Sequence, residues 1–275
     1  MSEGRFHRAP ICYPEPMRPL FRMRRVLCLA VVANLAATPA SAALPETIAA
    51  VKPSVVGIGT MLRTRSPAIV FVATGFAVGD GLSIITNAHA LPDLDVAGME
   101  ALGIVVGRGD RFDFRPAAVA AVDREHDIAH LRLSGTPLPP LRLDTDDSAA
   151  EGQALAFTGF PLGMALGLTP VTHRAMLSAV TPVVLPSLSA RRLDARAIAQ
   201  LQRRPFPIFQ LDGTAYPGNS GSPVYDPDSG VVHGVLNMTL LKAQKENGLS
   251  TPSGISYAIP ARYVRQLLLQ SPITK

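Results

Sequence analysis

Residues 216–223 read YPGNSGSP and hold two serines two positions apart, with glycines crowded around the first. Nucleophilic serine chemistry needs a base within hydrogen-bond reach, an acid that orients the base, and donors for the developing oxyanion. Gly218 stands two residues before Ser220, where it lets the backbone turn its N–H toward that oxyanion; the N–H of Ser220 is the second donor. Losing one such donor costs roughly a hundredfold or more in rate. Ser222 has Gly221 before it and Pro223 after it, but no glycine two positions upstream. Ser220 is therefore the candidate nucleophile. The serine at 222 also separates two folds. The G-x-S-x-G elbow of lipases and esterases requires glycine there, on a parallel sheet whose acid and histidine follow the serine. Asp226 and His233 do follow, but within 13 residues, and no strand–helix alternation surrounds them.

The chain around this loop reads as β-structure. Val55–Met61, Ile69–Val78, Leu82–Thr86, Gly103–Val106, Ala117–Val122, Ile128–Leu133, Gln153–Phe157, Val231–Met238 and Ile255–Ile259 are short apolar or alternating runs. Each is bounded by Gly, Pro, Asp or Asn, which predicts an all-β sandwich or barrel rather than βαβ units. Leu138–Asp147, rich in Pro and Asp, is the predicted junction between two halves. Ala261–Gln270 follows Pro260 and carries Val264, Leu267 and Leu268 on one face, predicting a terminal helix docked on the core. Ser189–Arg204, rich in Arg and Ala, reads as a solvated surface insertion or as a segment that contacts a partner or covers the mouth of the site.

Two further residues complete the chemistry. His89 closes LSIITNAHA (82–90), where a buried strand runs into polar Thr-Asn and sets an imidazole at its end. Asp127 opens DIAHLRL (127–133), where an aspartate at a strand start can point inward and hold a histidine Nδ1–H. His126-Asp-Ile-Ala-His130 mimics a zinc helix motif with Asp for Glu, but its period-two pattern is that of a strand, which sets the two imidazoles about 13 Å apart. No metal site and no cofactor is expected. His173 and His233 have no visible partners and read as structural or surface residues.

The first 42 residues differ from the rest. Arg18, Arg22, Arg24 and Arg25 precede an apolar run, Val26–Ala37, which ends in Thr-Pro-Ala-Ser-Ala. This is the pattern of a secretory signal peptide cleaved after Ala42, and the run of about 12 residues falls short of the roughly 20 that span a bilayer. Met17 or Met23 is an alternative start. Six of the 26 basic and two of the 21 acidic residues lie in this segment, so the mature chain carries 20 against 19. The basic balance thus belongs mostly to the targeting segment, and nucleic-acid binding is not expected. Cys12 and Cys28 leave with it, so an exported chain from residue 43 holds together without disulfides. No membrane anchor is expected after cleavage, and the location is the periplasm or the outside.

In order along the chain, TGFAV (74–78) and GLSIITNAHA (81–90), DIAHLRL, GFPLG (159–163), FQLDGTAYPGNSGSPVYD (209–226) and GISYAIPARYVRQLL (254–268) resemble segments of trypsin-like serine proteases. The similarity is to the HtrA/Deg type and to bacterial glutamyl endopeptidases, and it covers nearly all of residues 45–270. It implies a protease domain over 43–275: two six-stranded antiparallel β-barrels, about 50–140 and 148–260, a C-terminal helix 261–270, and a site in the cleft between the barrels. It implies His89 as general base and acid, Asp127 as orienter, Ser220 as nucleophile, the N–H groups of Gly218 and Ser220 as oxyanion hole, and polypeptide substrates.

Departures from the family pattern carry information. His130 stands where the family has an aliphatic residue, and GNSGSP is the glutamyl-endopeptidase form of the loop. Those enzymes place a histidine two residues after a glycine in the specificity pocket, where this chain has Gly234-Val-Leu236. Leu236, with Thr214 at the expected pocket base, argues against Glu and against Lys/Arg, and toward a small or aliphatic residue before the scissile bond. The 15 residues after Pro260 predict no peptide-binding PDZ domain in this chain. The competing expectation is a protease fold kept as a binding module, silent or activated by a partner.

Overall fold

The computed structural model describes residues 44–92, 100–108, 111–163, 167–182, 205–237 and 254–270, all within one compact unit. The predicted signal segment and the 189–204 insertion lie outside the described residues. Apolar alternation closes into two six-stranded antiparallel barrels, the expected fold class. Barrel one has β1 (Val55–Met61), β2 (Ile69–Val78), β3 (Ser83–Thr86), β4 (Ala101–Arg108), β5 (Arg111–Asp123) and β6 (Ile128–Leu133), in the order 1-2-3-6-5-4. Barrel two has β7 (Ala154–Gly159), β8 (Val171–Pro182), β9 (Pro207–Asp212), β10 (Pro223–Tyr225), β11 (Val232–Leu236) and β12 (Ile255–Pro260), joined as 10-11-12-9-8-7. Helix α1 (Leu44–Val51) precedes β1, and α2 (Ala261–Gln270) follows β12 over the residues predicted for it. Neither α1 nor strands β8, β9 and β10 were expected from the sequence.

Closing so few strands requires sharp local bending, and each barrel has two register shifts: Ile58/Gly59 and Val119/Ala121 in the first, Leu177/Ala179 and Val224/Tyr225 in the second. Inward positions fill the interiors. Ile58, Ile84, Ile104 and Leu131 are fully buried in barrel one; Leu155, Phe157, Leu177 and Leu211 are buried in barrel two. Burial of each such side chain contributes roughly 1.5–3 kcal/mol. A third cluster belongs to neither barrel alone. Phe76, Ile85 and Ile128 of barrel one meet Tyr225, Val235, Ile259 and, from α2, Tyr263 and Val264. The faces that must align for a cleft site are thus held by continuous apolar packing.

The predicted junction is not a free linker. Leu141 donates its N–H to Ala77 O (2.8 Å), while Asp144 N–H donates to Val232 O (2.8 Å) and Val232 N–H to Arg142 O (2.8 Å), with parallel bridges Val78↔Leu141 and Leu143↔Val232. It is stitched to both barrels.

Candidate active site

Barrel one supplies a histidine and an aspartate. β3 ends at Thr86, and Asn87 leads into a 3-10 turn, Ala88–Ala90, that presents His89. Asp127 sits at φ +54, a left-handed conformation rare for a residue with a side chain. Its carbonyl accepts from Ala88 N–H (3.2 Å) and Asn87 Nδ2 (3.0 Å). Its carboxylate accepts from the backbone N–H of His89 (2.8 Å), His89 Nδ1 (2.6 Å) and Asn237 Nδ2 (2.7 Å). With Nδ1–H committed to a carboxylate, the lone pair is on Nε2, which lies 3.1 Å from Ser220 Oγ. The hydroxyl of Ser220 therefore donates to it.

Barrel two supplies the serine, on a loop braced from both sides. Gly221 N–H donates to Leu236 O (2.9 Å) and Leu236 N–H to Ser222 O (2.9 Å), tying the loop to β11. From barrel one, Thr74 N–H donates to Ser220 O (2.9 Å) and Thr74 Oγ1 to Gly218 O (2.7 Å). Gly218 has φ +98, and a Cβ there would lie 2.3 Å from Phe160 O, so glycine is required. Pro217 C=O accepts from Leu162 N–H (2.7 Å), and Asn219 C=O from Ser222 N–H (3.0 Å). Planar trans peptides turn the N–H groups of Gly218 and Ser220 the opposite way. A Cβ on Gly159, at the end of β7, would lie 2.0 Å from Ser222 Oγ, so the GFPLG segment must begin with glycine to let the loop approach.

His89, Asp127, Ser220 and Gly218 are thus brought together across 131 positions of sequence. Asn237 and Thr74 were missed. The sequence cue for Asn237 was a lone polar residue closing the apolar run of β11. That for Thr74 was a hydroxyl residue ahead of the glycine in TGFAV. Of the proposed pocket residues, Thr214 is half-buried after β9, and Leu236 is fully buried with Phe157, Phe209 and Val224 in the barrel-two core. An open groove of about 470 Å³ adjoins Gly218, lined by Ile69, Phe71, Val72, Leu162 and Pro217 among others, and by neither Thr214 nor Leu236.

The remaining histidines have distinct settings. His233, expected without a partner, has one: Nδ1 lies 2.9 Å from Asp144 Oδ2, and both side chains are buried. The pairing spans 89 positions and leaves no local signal. Burial opposes ionisation of Asp144, yet the N–H of Asp146, the His233 ring and the N–H of Ser148 hold its carboxyl below the usual range. His173 stacks on Phe157 with ring centroids 4.9 Å apart, and burial lowers its pKa. His130 is buried in β6 with neither ring nitrogen hydrogen-bonded among the described residues. Burial, and secondarily Arg132, lower its pKa against the opposing charge of Asp80.

Similarities to known proteins agree with this geometry. The chain is 28% identical over 224 residues to human serine protease HTRA4, covering 80% of this chain and 40% of that protein. It is 25% identical over 189 residues to a probable periplasmic serine endoprotease DegP-like from Pseudomonas fulva, covering 69% of this chain and 32% of that protein. The chain spans no more than about two fifths of the length of these relatives. The active form of the Rv3671c protease from M. tuberculosis superposes with a TM-score of 0.58 at 22% identity, over 83% of this chain and 85% of that one, a likeness of fold. The family model described as trypsin-like peptidase domain matches residues 73–235, more than half of the chain and the whole span from His89 to Ser220. With its two barrels and the cleft between them, this chain belongs to the trypsin-like peptidase domain family.

Proposed function

We propose that this chain is an exported serine endopeptidase that hydrolyses polypeptides through an acyl-enzyme on Ser220. The observation that carries the reading is the alignment of Ser220 Oγ, 3.1 Å from His89 Nε2, with Asp127 2.6 Å from the other ring nitrogen. Ser220 Oγ attacks the scissile carbonyl while His89 Nε2 takes its proton. Asp127 keeps Nδ1–H in place and stabilises the imidazolium without itself taking a proton. The oxyanion accepts from the N–H groups of Gly218 and Ser220. The intermediate collapses to an ester on Ser220, and His89 returns its proton to the leaving amine. A water molecule, deprotonated by His89, then attacks the ester, and the regenerated Ser220 hydroxyl recovers its proton as the acid departs. No step calls for a metal or an organic cofactor.

Thr214 is uncharged and half-buried, and Leu236, buried in the barrel-two core, puts no charged group in the place of a selecting residue, which supports a small or aliphatic residue before the scissile bond rather than Glu, Lys or Arg. The signal-like segment 1–42 supports export to the periplasm or beyond, with cleavage near Ala42. The test is fluorophosphonate labelling of residues 43–275, followed by casein digestion. Labelling and digestion are expected in the wild type and absent in Ser220→Ala. Equal, negligible labelling of both would favour a silent or partner-activated binding module.

A further inference from the structure

The triad joins residues from two barrels, so its geometry depends on how the Asp127 turn of barrel one is held against barrel two. Asp127 has an unfavourable φ of +54, which costs on the order of 1–3 kcal/mol and persists only where the surroundings over-determine it. On its C-terminal side the restraints are the bonds to Asn87, Ala88, His89 and Asn237 described above. On its N-terminal side they converge on the preceding residue, His126.

His126 is fixed in three ways. Its backbone N–H donates to Asp123 Oδ1 (3.0 Å), alongside that of Glu125 (3.0 Å), which closes the turn. Its ring Nδ1–H donates to Asp123 Oδ2 at 2.6 Å. Its ring face stacks on Tyr263 of α2, centroids 3.8 Å apart and planes 17° from parallel, while Phe206, just before β9, meets it edge-on at 4.6 Å. Phe206 also packs edge-on against Tyr263 at 5.5 Å, so three rings form one cluster. Two of them belong to the barrel-two side and one adjoins the catalytic aspartate. An imidazole bound to a carboxylate at one edge and stacked on its face has little rotamer freedom left.

We propose that His126 is a positioning residue for the triad: clamped between Asp123 and Tyr263, it fixes the left-handed turn of Asp127 and ties the seating of helix α2 to the His89–Asp127 pair. This rests on the reading of His89, Asp127 and Ser220 as the catalytic set. The structural alternative is that the ring cluster merely glues the barrels, in which case its loss lowers stability and leaves the chemistry alone.

The test compares His126→Leu, which removes ring and donor, with His126→Asn, which keeps a donor toward Asp123, and Tyr263→Leu, which removes the stacking surface. Leu133→Ala, in the barrel-one core away from the site, serves as a destabilised control. Assays are run well below every melting temperature. His126→Leu is expected to lower kcat about tenfold or more with KM nearly unchanged, since small misplacements of reacting groups carry penalties of that size. Fluorophosphonate labelling slows in proportion. Asn restores part of the loss, Tyr263→Leu falls between, and Leu133→Ala keeps its kcat. A His126→Leu protein that loses stability like the control and retains kcat overturns the proposal. The proton in the His89–Asp127 hydrogen bond, observed by NMR at low field, gives a readout independent of turnover. It is expected to broaden in His126→Leu, and its persistence there overturns the positioning role. Absent labelling of the wild type, with that proton still dependent on His126, would sink the protease reading alone.

Discussion

Of the three aspartate–histidine pairs among the described residues, Asp127–His89 and Asp144–His233 join distant parts of the chain with nearly the same geometry and different consequence. Asp127 and His89 are 2.6 Å apart with side chains 25% and 32% exposed, whereas Asp144 and His233 are 2.9 Å apart and 8% and 5% exposed. In both, the carboxylate receives Nδ1–H and backbone N–H groups. What differs is the other ring nitrogen. His89 Nε2 faces a serine hydroxyl at an open cleft; His233 Nε2 faces the amide nitrogen of Gln153 at 3.5 Å, whose orientation is set by Ala150 N–H on its Oε1 (3.2 Å) and by Asp226 (3.3 Å). In the function proposed above, the first pair passes a proton to a substrate. The other fastens the inter-barrel segment to β11, and its second ring nitrogen faces a side-chain amide.

Neutralising each pair separates these roles. Asp127→Asn is expected to reduce kcat by about a thousandfold to ten-thousandfold, with little change in unfolding free energy, because the imidazole loses its tautomer and the charge that stabilises the imidazolium. Asp144→Ala is expected to do the reverse. It costs about 3 kcal/mol in urea unfolding, since it strands His233 and two backbone N–H groups, and it leaves kcat nearly intact. Asp144 titrates below its ordinary 3.8, so its contribution is complete above that pH and lost as acidification passes the folded value. Stability curves of Asp144→Ala should be flatter across that range.

A smaller effect tests how the exposed pair is held. Asn237→Leu removes one of two donors on Asp127 Oδ2 and is expected to lower kcat about tenfold, with His89 still bound to the carboxylate. An unchanged kcat would make Asn237 a feature of packing. The smallest effect concerns an imidazole with no carboxylate of its own. His130→Leu removes two unpaired buried nitrogens and should stabilise the protein by about 1 kcal/mol at neutral pH. Burial holds the folded His130 below its ordinary value of about 6.5, so the unfolded chain binds more protons as the pH falls through that value. Wild-type stability should therefore decline below pH 6.5 more steeply than that of the leucine variant.

Legibility in the sequence followed the range of the interaction. β1, β2, β6 and α2 occupy the residues predicted for them, because the strands are apolar or alternating runs and the helix has one apolar face, signals complete within a single element. β8 was missed because its residues are mostly half-exposed, with His173, Arg174 and Thr181 breaking any two-residue contrast. β10 is three residues long, and α1 buries only Thr47 and Val51 in two turns, too little for a period to register. The glycine pattern around Ser220 is local and readable. Asn237 and His233 act through partners 110 and 89 positions away, and His126 through a stack with a helix at the far end of the chain. Pairing of that kind is written in the tertiary structure alone.

The stitched inter-barrel segment bears on the covalent economy of the fold. Arg142 to Asp144 act as a short parallel strand on barrel two, Leu141 does the same on barrel one, and Thr145 to Ser148 beyond them form an exposed turn. The backbone from 145 to 148 makes no strand pairing with either barrel; its Asp146 and Ser148 N–H groups cap the Asp144 carboxylate, and the Asp147 carboxylate meets Arg265 of α2. A cut there would leave the backbone bonds of Leu141–Asp144 and the shared apolar cluster in place and loosen only the cap on Asp144, so the covalent link is a weaker tether than the bonds beside it.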